Sequence, residues 1–313
     1  MTSASPDRRL EDPARAIQNR GWAIVYDAQA TRVIGYSANL SALAPERADH
    51  DLRGLALRDL LGSETSHSLR NALSRSALGP RPALLPRLPI AGRAGLFDFA
   101  VHAAGELTVI EIETAAKADP FALDRARALI DRLVQAKDLE RLLQTAARLV
   151  HSLLQWDCVT VLRLAPDGAT RVLAQHRRAD WPDAEAGAAL FGAFPPQARA
   201  LYGADQRFLA DAASAPVVMV GEAPAETHWA QVQAATADEA ARAAQAGFKA
   251  LFSLPIMVDG KSWGLLVAHD RAARSLAMDE RAVFDLFGDV LSLSVQSALW
   301  RPAAEEFHRT HAL

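Results

Sequence analysis

The sequence predicts an α+β chain of two domains, each an antiparallel sheet with flanking helices, joined by a long helix. Three observations predict it. Short β-branched and aromatic runs separated by turn residues recur in both halves, which is the pattern of paired strands. Between them, residues 119 to 155 switch to a helical repeat of leucines. The length, 313 residues, suits about two domains of ordinary size.

The elements follow in order. The runs 22-WAIVYD-27 and 31-TRVIGYS-37, separated by 28-AQA-30, read as strand, turn, strand. The stretches 55-LALRDLLG-62 and 65-TSHSLRNALSRSAL-78 have helical spacing, with Leu69, Ala72 and Leu73 on one face. Strand character returns in 84-LLPRLPI-90, 96-LFDFAVHA-103 and 107-LTVIEIE-113, with a turn at Gly105 and Glu106. Period two puts Phe97, Phe99 and Val101 on a buried face and Asp98, Ala100 and His102 on a more polar one. In the long helix Asp138 is an N-cap for the second half, so a break is expected near Lys137. The second domain opens with 157-DCVTVLRLAPDGATRVLAQHRR-178 around the turn 166-PDGA-169. It closes with the hairpin 250-ALFSLPIMVDGKSWGLLVAHD-270, whose Asp-Gly pair marks the turn. The last helix carries Val283, Leu286, Phe287, Val290, Leu291 and Val295 along one face. The expected divisions are a flexible segment 1–15, a first domain 16–118, a linker helix 119–137, a second domain 138–300 and a tail 301–313.

Composition narrows the function. Half of the residues are hydrophobic and 23% are charged, as in globular proteins. A formal charge of -3 with scattered arginines argues against a nucleic-acid partner. The N-terminus has no apolar signal region and no apolar run approaches 18 residues, so the expected setting is cytoplasmic, without membrane contact. The single cysteine, Cys158, sits in a strand-like run and reads as a small buried hydrophobe.

Enzyme signatures are missing. The chain shows no glycine-rich phosphate loop, serine elbow or His-Glu-x-x-His pair, so no catalytic residues and no metal site are expected. His176 reads as solvated, and His308 and His311 as parts of a fraying end that also carries Glu305 and Glu306. His269, at the end of 263-WGLLVAHD-270, is placed to face a pocket. The stretch 187–221 is polar and punctuated by prolines, yet runs into the strand-like 217-VVMV-220, which raises the question of a pocket wall.

With these motifs placed, residues 16 to about 300 resemble the PAS-GAF photosensory module of bacterial phytochromes. The resemblance is carried by 16-AIQNRGWAIVYD-27, 37-SANLSAL-43, 54-GLALRDLLG-62, 195-PPQARALY-202 and 256-IMVDGKSWGLLVAHD-270. It implies a PAS domain followed by a GAF domain, a threaded crossing, and a bilin in the GAF pocket. Residue by residue, it also implies losses. No cysteine precedes Ile17, where bacterial members attach biliverdin. Ala193 stands for the pocket aspartate, Gln233 for a propionate-binding arginine, Glu239 for a pocket histidine and Asp270 for the second histidine of a pair. Arg207, His269 and Tyr202 remain as cofactor-binding positions. The function implied is a noncatalytic sensory or regulatory module in signal transduction, unable to bind bilin covalently and with no cofactor expected. One alternative is a red/far-red photoreceptor holding biliverdin noncovalently; another is a ligand-free dimerisation and protein-interaction scaffold. The expected partners are a second copy, through helices 119–155 and 276–300, and a protein that carries the output in trans, since the chain leaves no room for a phytochrome-specific, kinase or cyclase domain.

Overall fold

The β-branched and aromatic runs pair as antiparallel strands, and three short segments join them. The computed structural model describes residues 16–27, 31–47, 50–76, 82–117, 121–136, 138–181, 201–203, 205–223 and 231–311. It divides into two units: residues 1–118 with 212–241, and residues 119–211 with 242–313.

In the first unit the strands are β1 (Ala16–Ile17), β2 (Gly21–Tyr26), β3 (Val33–Ser37), β4 (Ala83–Leu88), β5 (Phe97–Ala104), β6 (Leu107–Thr114) and β10 (Val217–Gly221). Their order across the sheet is β1-β10-β3-β2-β6-β5-β4. Helices α1 (Leu57–Leu61) and α2 (Ser63–Ser76) connect β3 to β4. Ile24, Tyr26, Phe97, Phe99, Val101, Ile110 and Ile112 form one face of the sheet and cluster with Leu57, Leu61 and Leu69 from the helices. Each such side chain contributes about 1.5–3 kcal/mol when taken out of water.

The opposite face differs from expectation. Asp98, Ala100 and His102 are buried, as are Glu111 and Glu113. Residues 212–241, arriving from the second half of the chain, cover part of this face: they add β10 to the sheet and lay Val232 against Ile17 and Ala23, while Asp98 accepts the Arg87 N–H at 2.9 Å. β1 is held on both edges by this one excursion. Ile17 pairs with Val217 on one side and bridges to Gln233 on the other. Gln18 donates its backbone N–H to the Val232 carbonyl at 2.7 Å, and the Ala234 N–H reaches the Ala16 carbonyl at 3.1 Å. Charged groups lock the passage: Glu111 accepts the Val232 N–H at 2.8 Å and lies 3.1 Å from His102, while Arg20 pairs with Glu113 and donates to the Gln231 carbonyl. A carboxylate that is wholly buried needs such partners, because desolvation without them costs several kcal/mol.

In the second unit, α3 (Ala122–Val134) and α4 (Leu139–Leu154) precede β7 (Cys158–Leu164) and β8 (Thr170–Arg177). Asp138 caps α4, its carboxylate accepting the Arg141 N–H at 2.8 Å, as its position in the sequence predicts. Then come β9 (Arg207–Leu209), α5 (Ala237–Ala246, which begins in the first unit), β11 (Ala250–Val258), β12 (Lys261–Asp270) and α6 (Met278–His311). The sheet order is β8-β7-β12-β11-β9. The β11–β12 turn has Asp259 and Gly260 both at positive φ, 52° and 69°, which is why an Asp-Gly pair sits there. One sheet face packs on the helices through Phe252, Leu254 and Leu266 against Phe284, Phe287, Leu291 and Val295. Residues 278–301 of α6 are long and apolar enough to cross a membrane by length and composition, yet the face just named belongs to the core of this unit.

Candidate functional site

The second sheet has another face, and the register shows what stands on it. Residues directly paired across antiparallel strands point to the same side. One row therefore runs Arg177, Cys158, His269, Leu251 and Leu209 across all five strands. The next runs Gln175, Thr160, Val267, Ser253 and Arg207. The intervening row, His176, Val159, Ala268, Phe252 and Phe208, belongs to the helix side. A buried sheet face with a guanidinium, an imidazole, two hydroxyls and a thiol is unlike ordinary core, where polar side chains are few and satisfied.

Arg207, Ser253, Thr160, Cys158 and His269 are all buried. Burial pulls the His269 imidazole from its ordinary 6.5 down to about 3, so the ring is neutral. It packs on Phe248 with ring centroids 4.6 Å apart. Burial likewise pushes the Cys158 thiol up, although Thr160 hydrogen bonding and the Arg177 charge oppose it. Its sulfur lies 3.5 Å from Thr160 Oγ1, which also accepts from Gln175 Nε2 at 3.1 Å. The Ser253 hydroxyl has no hydrogen-bond partner among the described residues. A buried hydroxyl in that condition costs about 1–3 kcal/mol unless something else meets it.

Of the residues predicted from sequence, the fold brings Arg207 and His269 to this shared face. Tyr202 is buried but lies in the short segment 201–203, outside the registered rows. Asp270 is adjacent to His269 in sequence and so points to the other side of β12. There it accepts the Ala272 N–H at 2.7 Å and pairs with Arg274 at 2.6 Å, fastening the strand's end. Gln233 and Glu239 group with the first unit. The Gln233 carbonyl accepts Gln18 Nε2 at 3.0 Å at the crossing. Glu239 forms a capping box with Thr236: its carboxylate accepts the Thr236 N–H at 2.7 Å, and Thr236 Oγ1 accepts the Glu239 N–H at 3.1 Å. The Thr-x-x-Glu spacing of 236-TADE-239 was the signal for that role. Ala193 lies outside the described residues. Local pattern does not single out Ser253 and Thr160; aligning the period-two faces of the hairpin with β7 is the signal that finds them.

The strand that carries Arg207 is fixed to the last helix from its other side. Phe208 lies beneath the buried Arg281 guanidinium, 5.6 Å from carbon to ring centre, and Arg281 donates to the Leu276 carbonyl at 2.6 Å. Gln206 Nε2 donates to Asp285 at 2.9 Å, and the Arg274 N–H to the Ala210 carbonyl at 3.0 Å. At the far end of the sheet Arg271 holds Asp157 through its backbone N–H at 3.0 Å and its Nε at 3.1 Å. It also reaches Asp180 at 2.7 Å and lies over the Trp181 ring.

Comparison with known proteins agrees with this architecture. Residues 12–115 match the PAS fold model and residues 138–295 the GAF domain model. A bacteriophytochrome of Pseudomonas aeruginosa is 25% identical over 212 residues, 64% of this chain, and the match spans 29% of the relative's own length. The crystal structure of the chromophore-binding domain of an unusual bacteriophytochrome from R. palustris superposes with a TM-score of 0.74 at 21% identity. That match covers 94% of this chain and 97% of that one. A longer structure of the R. palustris bacteriophytochrome gives 0.79 at 21% identity, covering 97% of this chain and 63% of that one. With both domain models matched in order and phytochrome structures following nearly the whole chain, this protein belongs to the phytochrome-like PAS-GAF family.

Proposed function

We propose that the chain is a noncatalytic sensory module of a signal-transduction protein, with a site for a small, noncovalently held anionic ligand on the buried face of the second sheet. The observation that carries the reading is the Ser253 hydroxyl, buried and without a partner among the described residues, in the same row as Arg207 and two residues along from the row of His269. A guanidinium and a hydroxyl suit a carboxylate, and a neutral imidazole can donate or accept beside it. Noncovalent holding is favoured because the raised pKa of the Cys158 thiol keeps it protonated and poorly nucleophilic. A cytoplasmic setting, and output through a partner protein, belong to the same reading.

The test is to mix the protein with excess biliverdin, desalt it and record the spectrum. A red band that survives desalting but not denaturation identifies biliverdin as the ligand, and Arg207→Ala should then weaken binding at least about tenfold. A protein-only spectrum supports the form of the reading in which the site has lost bilin and takes another anion. Pigment that stays on the polypeptide in a denaturing gel would overturn the noncovalent reading.

A scaffold role is favoured by a separate observation. Leu286, Leu293 and Trp300 are exposed at intervals of seven residues along α6, a stripe that suits a second copy of the same helix.

A further inference from the structure

A groove of about 840 Å³ lies in the second unit, between the end of α3, the outer side of α4 and β8. Its chemistry follows from one helical stripe. Arg141, Gln144, Thr145, Arg148 and Ser152 are spaced three, four, seven and eleven residues from the first and line the groove together. Arg132, near the end of α3, adds a further guanidinium, and β8 adds Gln175 and His176. Among the described residues, no carboxylate lines it. Arg141 shares its charge with Asp138 at 3.8 Å, but Arg132 and Arg148 make no ion pair among the described residues. In a chain of net charge -3, this is a local concentration of cations.

Beside the groove, a second imidazole meets the lining residue His176. His151 on α4 stacks edge to face with His176, ring centroids 4.6 Å apart. Its pKa is lowered, first by burial and then by the nearby His176 and Arg178, against the smaller opposing effect of Asp157.

We propose that this groove binds a small, multiply charged anion carrying two or more linked phosphates, free or esterified. Its lining consists of donors: guanidiniums, amides and hydroxyls. The apolar contributions are only Ala136 and Leu149, too little to anchor the side chains of a docked peptide, which need an aromatic or aliphatic pocket. The volume suits a ligand of nucleotide size. The groove meets the sheet at its β8 edge, through Gln175 and His176, whereas Arg207 stands on β9 at the opposite edge.

Isothermal titration of the full chain with inorganic triphosphate, ATP and hexaglutamate at about 0.15 M salt tests this, since weak surface attraction is largely screened there. We expect one saturable site for triphosphate. Arg148→Gln should weaken it about tenfold, and Arg132→Gln with Arg148→Gln should weaken it further. Arg58→Gln, an exposed change in the first unit, should leave it unaltered. The His151 and His176 ring protons should shift in NMR spectra on titration. Tighter binding of ATP than of triphosphate would identify the esterified source; equal binding would identify the phosphate chain alone. No saturable heat, an equal loss in Arg58→Gln, or tighter binding of hexaglutamate would overturn the proposal. Arg132 and Arg148 are exposed, so these variants should keep the wild-type melting temperature.

Discussion

Gly35 and Gly221 are opposite one another across β3 and β10, and the crossing depends on their lack of side chains. A Cβ on Gly35 would stand 1.9 Å from the Glu222 carbonyl oxygen, and one on Gly221 would stand 2.4 Å from that of Ile34. Backbone cannot move aside as a flexible side chain can, so Gly35→Ala should cost at least about 1–3 kcal/mol and loosen β10. Denaturant midpoints and exchange of the Met219 and Val220 amides would show it; an unchanged midpoint would mean that the approach is not tight. His269 supplies a second residue-level expectation. The unfolded chain takes up a proton below pH 6.5, whereas the buried ring does so only near 3. Stability from this group is therefore complete above pH 6.5 and is lost as pH falls from there towards 3. The wild type should lose about 2 kcal/mol more than His269→Gln between pH 7.5 and pH 5, measured by denaturant unfolding. Equal losses would place the imidazole in contact with solvent.

At the scale of elements, the second sheet is tied down at both ends by polar contacts that local pattern does not reveal. Arg271 joins the end of β12 to the start of β7 through Asp157. Burial pushes the Asp157 carboxyl up, but the side-chain and backbone hydrogen bonds from Arg271, with the Arg271 and Arg178 charges, outweigh it and hold the pKa below the usual carboxylate range. Asp157→Asn should destabilise the protein by about 1–3 kcal/mol at neutral pH. The deficit should shrink as pH falls through the depressed pKa, because the wild type then loses the same charge. A deficit independent of pH would assign the effect to packing. At the other edge, β9 is bound to α6 by Gln206 to Asp285 and by Phe208 under Arg281, so a ligand pulling on Arg207 would act on a strand already fastened to the longest helix. The α4 cap and the β11–β12 turn were legible in sequence, since each rests on residues within a few positions of one another. The Arg271 and β9 contacts join residues tens of positions apart and leave no local trace.

For the whole molecule, the apolar stripe of Leu286, Leu293 and Trp300 is the feature of α6 that packing within the chain leaves exposed. With three apolar side chains in a row, two copies of α6 can bury one another's stripes, so the protein should be a dimer in solution, and Leu293→Glu should shift it to monomer. Light scattering coupled to size exclusion reads this directly. A monomeric wild type would remove the scaffold reading, and a dimeric Leu293→Glu would move the interface elsewhere.

By itself the sequence determined the α+β class and the order of most strands and helices, because these rest on composition and on periods of two and 3.6 residues. Only the tertiary structure decided that 217-VVMVG-221 pairs between β1 and β3 in the first sheet, and that Glu111 and His102 are buried beneath the same excursion. It also decided that Ser253 and Thr160 share a face with Arg207 and His269 while Asp270 turns away. The physical reason is register: a strand's pattern says that its side chains alternate, but only its partner across the sheet decides which neighbours they meet and what covers them.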